Sequence, residues 1–231
     1  MSKPQQLMDG VMSKKQYSLE NILQQGILPL YFHANAEVSV NVLKALYAAG
    51  IRAVEYTNRG KEALQNFKVL VTVRDSNFKD MQLGIGTIKN ELDAKYFIDA
   101  GADFIISPGM IPDVAKEVDK AQLLWIPGCM TVSEIIAAEQ LGAKFVKIFP
   151  GNLLGPAFVS SIKDIFPHMC FMPTGGVELN EENMMDWFKS GVVAVGLGSK
   201  LISKELLDQK NYSAIEKSTK EALSIVQRIK K

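Results

Sequence analysis

An α/β protein, built as a (β/α)8 TIM barrel with an extra N-terminal helix, is the fold class the sequence predicts, and three observations predict it. First, four segments share one phrase: AAGIRAVEYT (48–57), DAGADFIISPG (99–109), QLGAKFVKIFP (140–150) and KSGVVAVGLGS (189–199). In each, an amphipathic helix stops at a glycine and a short, almost wholly apolar strand follows; strands apolar on both faces belong to parallel sheets covered by helices. Second, Gly50, Gly101, Gly142 and Gly191 stand 51, 41 and 49 residues apart, room for two strand–helix units per interval. Third, the intervening strands can be found as ILPLYFH (27–33), QLGIGTI (82–88), LLWIPGC (123–129) and CFMPTGG (170–176). Eight parallel strands alternating with helices point to a barrel. An open doubly wound sheet is the runner-up, but no clear GxGxxG follows the first strand.

The elements follow in order. Residues 1–16 are expected to be a flexible N-terminal segment, and YSLENILQQ (17–25) a helix leading in. Helical stretches such as AEVSVNVLKALYAAG, KNELDAKYFIDAG and EENMMDWFKSG end at the repeating glycines, which supply a left-handed cap without a Cβ clash. Thr131 and Glu134, in TVSE, fit a capping box opening a helix. The tail after residue 203 reads as a lysine-rich amphipathic helix with a solvated outer face. No Pro/Ser-rich linker divides the chain, so residues 1–231 are expected to form a single domain.

Composition narrows the function classes. Hydrophobic residues make up 47% and charged residues 22%, the balance of an ordinary globular protein. A net charge of +1 argues against nucleic acid or an anionic membrane as partner. No apolar run approaches the roughly 18 residues of a membrane helix. Cys129 and Cys170 lie in apolar stretches outside any CxxC pair and read as buried thiols of a reducing compartment, so a cytoplasmic location is expected. His33 and His168 form no metal-binding spacing, and no metal or other cofactor is expected.

In a barrel the functional site lies at the C-terminal ends of the strands. Three features stand there. Lys147 sits mid-strand among Phe145, Val146, Ile148 and Phe149, where period-two alternation puts Phe145, Lys147 and Phe149 on one face. A low-dielectric setting disfavours an ammonium, and a neutral amine is a nucleophile able to form a Schiff base. The alternative is a structural ion pair or a lysine reaching solvent, and the local sequence leaves both open. The second feature is AVEYTNRG (53–60), with Glu55 inside an apolar strand and Arg59 just beyond it. Glu55 is either the partner of that lysine or a proton carrier, and the guanidinium of Arg59 suits a carboxylate. The third is the pair of glycine-rich strand ends PTGGV (173–177) and GLGS (196–199), the position at which barrels often bind phosphate.

Taken in order, VEYTNR, GIGTI, ISPG, IPGCMTVSE, FVKIFPGN, PTGG and GLGS resemble the bacterial 2-dehydro-3-deoxy-6-phosphogluconate (KDPG) aldolase and 4-hydroxy-2-oxoglutarate (KHG) aldolase family, over about residues 18–207. The resemblance implies a (β/α)8 barrel, a homotrimer and a metal-free class I aldolase acting on a small keto acid, in the KDPG case a phosphorylated one. Carried over by position, Lys147 is the Schiff-base lysine and Glu55 the general acid/base. Arg59 and Thr87 would hold the keto-acid carboxylate, with Pro108 and Phe149 lining the pocket. Thr174, Gly175, Gly176, Gly198 and Ser199 would bind the phosphate. This chain reads LYFHAN where many members carry an arginine, and FPGN where many read FPAE; both departures fall around the mouth and bear on substrate preference. The related 6-phosphogalactonate aldolases share phrases such as KIFP and GLGS. Outside aldolases, the rivals are a phosphate-binding barrel isomerase and a metabolite-binding protein with a structural Lys147–Glu55 pair.

Overall fold

The structure, a computed structural model, describes residues 12–231. Most of the segment expected to be flexible, 1–16, therefore lies outside the described residues. The helix expected over 17–25 begins earlier: α1 runs Lys14–Gln25, because the Ser13 hydroxyl caps it by accepting from the Gln16 amide at 3.2 Å.

The strands are β1 (Ile27–Tyr31), β2 (Ala53–Thr57), β3 (Gln82–Gly86), β4 (Phe104–Ile106), β5 (Leu124–Ile126), β6 (Gly128–Cys129), β7 (Phe145–Ile148), β8 (Cys170–Pro173) and β9 (Val195–Leu197). All pair in parallel, in the orders β5-β4-β3-β2-β1-β9 and β6-β7-β8, and the sheets curl around an inner core. The fifth expected strand, 123–129, is two short pieces separated by Pro127, which has no N–H to give a ladder. The amides of Ser107 and Gly128 bond the carbonyls of Ile126 and Ser107, so the neighbouring chain follows both pieces. β8 and β9 approach through a bridge between Thr174 and Gly196 and a bond from the Val193 amide to the Phe171 carbonyl.

The helices between strands are α2 (Ala36–Ala48), α3 (Ala63–Asn77), α4 (Glu91–Asp99), α5 (Pro112–Lys120), α6 (Val132–Gln140), α7 (Gly151–Ile162) and α8 (Glu181–Ser190). The four repeating glycines adopt φ between 83° and 107°, the left-handed conformation expected of them. The Thr131–Glu134 capping box is formed. α7 is kinked at Gly155, where Pro156 cannot continue the ladder.

Alternation sorts each strand into two apolar layers. Ala53, Phe104, Ile106, Leu124, Ile126, Phe145 and Met172 form an inner cluster. Val54, Tyr56, Ile105, Trp125, Val146, Ile148 and Phe171 pack outward with the helices. Glu55 and Lys147, two residues beyond Ala53 and Phe145, therefore stand on the inner face. α1 covers the N-terminal strand ends: Ile22 enters the inner cluster, and the Ser18 hydroxyl donates to Gln82 Oε1 at 2.8 Å at the start of β3. That leaves the C-terminal ends open for a site.

The tail differs from expectation. It is two helices, α9 (Lys204–Asp208) and α10 (Tyr212–Ile229), broken at Lys210 with φ 52°. α10 buries Ile215, Thr219, Ala222, Ile225 and Val226 and packs on α2 and α8, so only its opposite face is solvated.

Candidate active site

Lys147 on β7 and Glu55 on β2 meet inside the ring of strand ends, with Lys147 Nζ 3.9 Å from Glu55 Oε1. Both are buried, at 5% and 1% exposure, far below what an unpaired charge tolerates. The separation is longer than a hydrogen bond, and neither carboxyl oxygen of Glu55 has a hydrogen-bond partner among the described residues. Burial raises the Glu55 carboxyl above its ordinary 4.5, against the opposing pull of the Lys147 and Arg59 charges. A structural ion pair would close to contact and recruit donors; this pair is looser than that. The Phe149 ring lies 5.1 Å from Lys147 Nζ and forms an apolar wall.

β3 makes the room. Its inward positions are Gln82, Gly84 and Gly86; a Cβ at Gly84 would overlap the Phe104 ring, and one at Gly86 the Glu55 carboxylate. Thr87 follows in the left-handed region at φ 63°, a conformation that costs a β-branched residue about 1–3 kcal/mol. The Asn58 amide donates to the Gly86 carbonyl at 2.9 Å, which ties the loop bearing Arg59 to the strand end bearing Thr87. Pro108 stands two residues beyond β4, and its carbonyl packs against Gly128, the register partner of Lys147.

The glycine-rich ends form a second part of the mouth. Gly175 and Gly176 have φ 88° and 72°, and a side chain on Gly176 would strike the backbone of Asn152. The Gly151 amide donates to the Thr174 carbonyl, and the buried Thr174 hydroxyl has no partner among the described residues. Gly198 and Ser199 line a cleft of about 480 Å³ together with Arg59, His33, Lys204 and Asp208. Arg59 links the two parts, facing that cleft while its charge acts on Glu55.

The structure thus brings Lys147, Glu55 and Phe149 together directly and sets Thr87 and Pro108 on neighbouring strand ends. Gly198 and Ser199 join Arg59 in the cleft, while Thr174, Gly175 and Gly176 pack on the start of α7. Sequence reasoning missed Gly86 and Lys204, and met Asn152 only as part of the FPGN departure at the mouth. Glycines at alternate positions of an apolar strand were a signal for the first; Lys204 carries no local sign. Cys129 and Cys170 are free thiols, and burial pushes Cys129 up to about 12. Among the described residues no three His, Cys, Asp or Glu side chains cluster to hold a metal ion. No helix there is long and apolar enough to cross a membrane.

Comparison with known proteins bears on this geometry. The family described as "Aldolase: KDPG and KHG aldolase" matches residues 19–218. The KHG/KDPG aldolase of Escherichia coli K12 is 31% identical over 209 residues, covering 89% of this chain and 95% of that protein. The 2-dehydro-3-deoxy-phosphogluconate aldolase of Pseudoalteromonas atlantica is 30% identical over 211 residues, covering 90% and 94%. Among solved structures, KDPG aldolase from Legionella pneumophila, with pyruvate captured at low pH as a covalent carbinolamine, superposes with TM-score 0.80 at 26% identity, covering 90% and 98%.

Proposed function

The chain belongs to the KDPG and KHG aldolase family, and from that premise we propose that it is a class I aldolase releasing pyruvate from 2-dehydro-3-deoxy-6-phosphogluconate, 4-hydroxy-2-oxoglutarate or both. The observation that carries the reading is a lysine and a raised carboxyl, both buried on the inner face of the strands and 3.9 Å apart.

The residues divide the work as follows. The Lys147 amine attacks the C2 ketone and, with loss of water, forms an iminium. The C3–C4 bond then breaks, its electron pair passing into the iminium as an enamine, while Glu55 takes the proton of the C4 hydroxyl. The aldehyde leaves as glyceraldehyde 3-phosphate or glyoxylate. Glu55 returns the proton to C3, and water frees pyruvate from Lys147. Arg59 and Thr87 hold the keto-acid carboxylate, and Pro108 and Phe149 wall the pocket. Thr174, Gly175, Gly176, Gly198 and Ser199 receive the phosphate through backbone and hydroxyl donors. The C4 epimer, 2-dehydro-3-deoxy-6-phosphogalactonate, is less well supported: a structure described as native KDPGal superposes at TM-score 0.79 but only 20% identity, a likeness of fold alone.

The same reading includes a closed eight-stranded barrel with α1 as an added N-terminal helix. The single residue between β5 and β6 and the Thr174–Gly196 bridge support closure. It includes one domain over 1–231, a cytoplasmic location in keeping with two free thiols, and a homotrimer.

The test is borohydride reduction in the presence of pyruvate, with peptide mass spectrometry. A reduced pyruvyl group on Lys147 is expected, absent in Lys147→Ala along with several powers of ten of activity. Near-wild-type turnover in Lys147→Ala would refute the covalent route and revive the isomerase and binding-protein readings.

A further inference from the structure

The residues assigned to the phosphate above are all uncharged: Thr174, Gly175, Gly176, Gly198 and Ser199. A phosphate dianion bound only by neutral donors is held less tightly than one that also meets a cation. Among the described residues, Arg59 and Lys204 are the cations that line the cleft with Gly198 and Ser199. Arg59 lines the same cleft, but its charge also acts on Glu55, in keeping with its assignment to the keto-acid carboxylate. Lys200 is engaged elsewhere, 3.0 Å from Glu178 in the loop after β8, and does not line the cleft. Lys204 does line it, together with Gly198 and Ser199.

The backbone holds Lys204 over that loop. The amides of Leu201 and Ile202 both donate to the Gly198 carbonyl at 2.9 Å, folding the chain back on the strand end. The Ser203 hydroxyl then accepts from the Leu206 amide at 3.2 Å, so Lys204 opens α9 at a set place. Leu30, Phe32 and Ala34 also line the cleft, and none of them carries a charge. Asp208 is the carboxylate among the cleft residues and opposes an anionic ligand.

We propose that Lys204 is a specificity-determining residue that reads the phosphate on the aldehyde half of the substrate, with Asp208 as the counterweight that keeps the cleft from holding anions too tightly. This rests on the aldolase reading. It predicts a KM effect confined largely to the phosphorylated substrate, because the group lies away from the Lys147–Glu55 pair.

The experiment compares kcat and KM for 2-dehydro-3-deoxy-6-phosphogluconate and 4-hydroxy-2-oxoglutarate in wild type, Lys204→Ala, Lys204→Arg and Asp208→Asn, with pyruvate trapping on wild type alongside. Lys204→Ala is expected to raise the KM ratio of phosphorylated to unphosphorylated substrate about tenfold, the worth of one hydrogen bond to a charged group. Lys204→Arg restores the ratio, Asp208→Asn lowers it, and inorganic phosphate inhibits Lys204→Ala more weakly than wild type. A wild-type ratio in Lys204→Ala, with wild type forming the pyruvate adduct, overturns the role of Lys204 alone. A wild type that forms no adduct overturns the aldolase reading, and this inference with it.

Discussion

Glu55 is the residue on which the proposed chemistry turns, because a buried carboxyl with no hydrogen-bond donor among the described residues cannot stay at its ordinary acidity. Acting as a base, it must be ionised, so a raised value moves the acidic limb of kcat/KM above 4.5. A pH profile of pyruvate release should place that limb there and lose it in Glu55→Gln, with activity lower by about 10²–10⁴-fold. The sign for stability is the opposite of a salt-bridged carboxylate: the contribution of Glu55 is present below its unfolded value and fades as pH rises through its folded one. Gly86 is its silent neighbour. Gly86→Ala should push the Glu55 side chain aside and cost about 10²-fold in kcat or more, the price of misplacing one acid/base group; far-ultraviolet circular dichroism checks that the fold survives. Lys147, Glu55 and Arg59 were legible in the sequence because a charge in an apolar strand is conspicuous. Gly86 was not singled out, since its role is defined by a side chain 31 positions earlier in the chain.

Among the elements, α1 does more than lead in. Ile22 is fully buried in the inner cluster, and Gln25 bonds the backbone of Ile27, Arg52 and Ala53. Ile22→Ala should cost about 2–5 kcal/mol, read from the midpoint of denaturant unfolding with an unchanged slope. An effect below about 0.5 kcal/mol would mean that α1 does not help to hold the strand ends together. Helix termini were readable from local chemistry, as with the Thr131–Glu134 capping box, because capping depends on three or four adjacent residues. Other elements were not. Pro127 splits the expected fifth strand, and α9 and α10 replace one tail helix, both through backbone details that apolar patterning does not register. The buried Arg74–Asp103 pair, whose carboxylate also accepts from the Leu83 amide, joins α3 to the β3–β4 region; it lay unseen because its partners are 29 residues apart.

At the scale of the molecule, the inner cluster fills the space between the strands, and the Lys147–Glu55 pair stands beyond it toward their C-terminal ends. Association into a homotrimer should give a mass three times 25.5 kDa by sedimentation equilibrium; a purely monomeric species at micromolar concentration would count against it. Cys129, buried and held near 12, should resist alkylation by iodoacetamide at pH 8 in the native protein and react on unfolding, as thiolate supply requires.

The sequence by itself determined the alternation of strands and helices, the end of the strands on which a site belongs, and the charged residues that stand there. Each is a local property: apolar period, glycine cap, or a charge in an apolar run. Tertiary structure alone decided that Lys147 and Glu55, 92 positions apart, lie 3.9 Å from one another, that Gly86 clears the space between strands, and that Lys204 joins Gly198 and Ser199 in one cleft. Distances between strands depend on the curl and register of the sheet, which are set by packing across the whole chain and are written in no single segment of it.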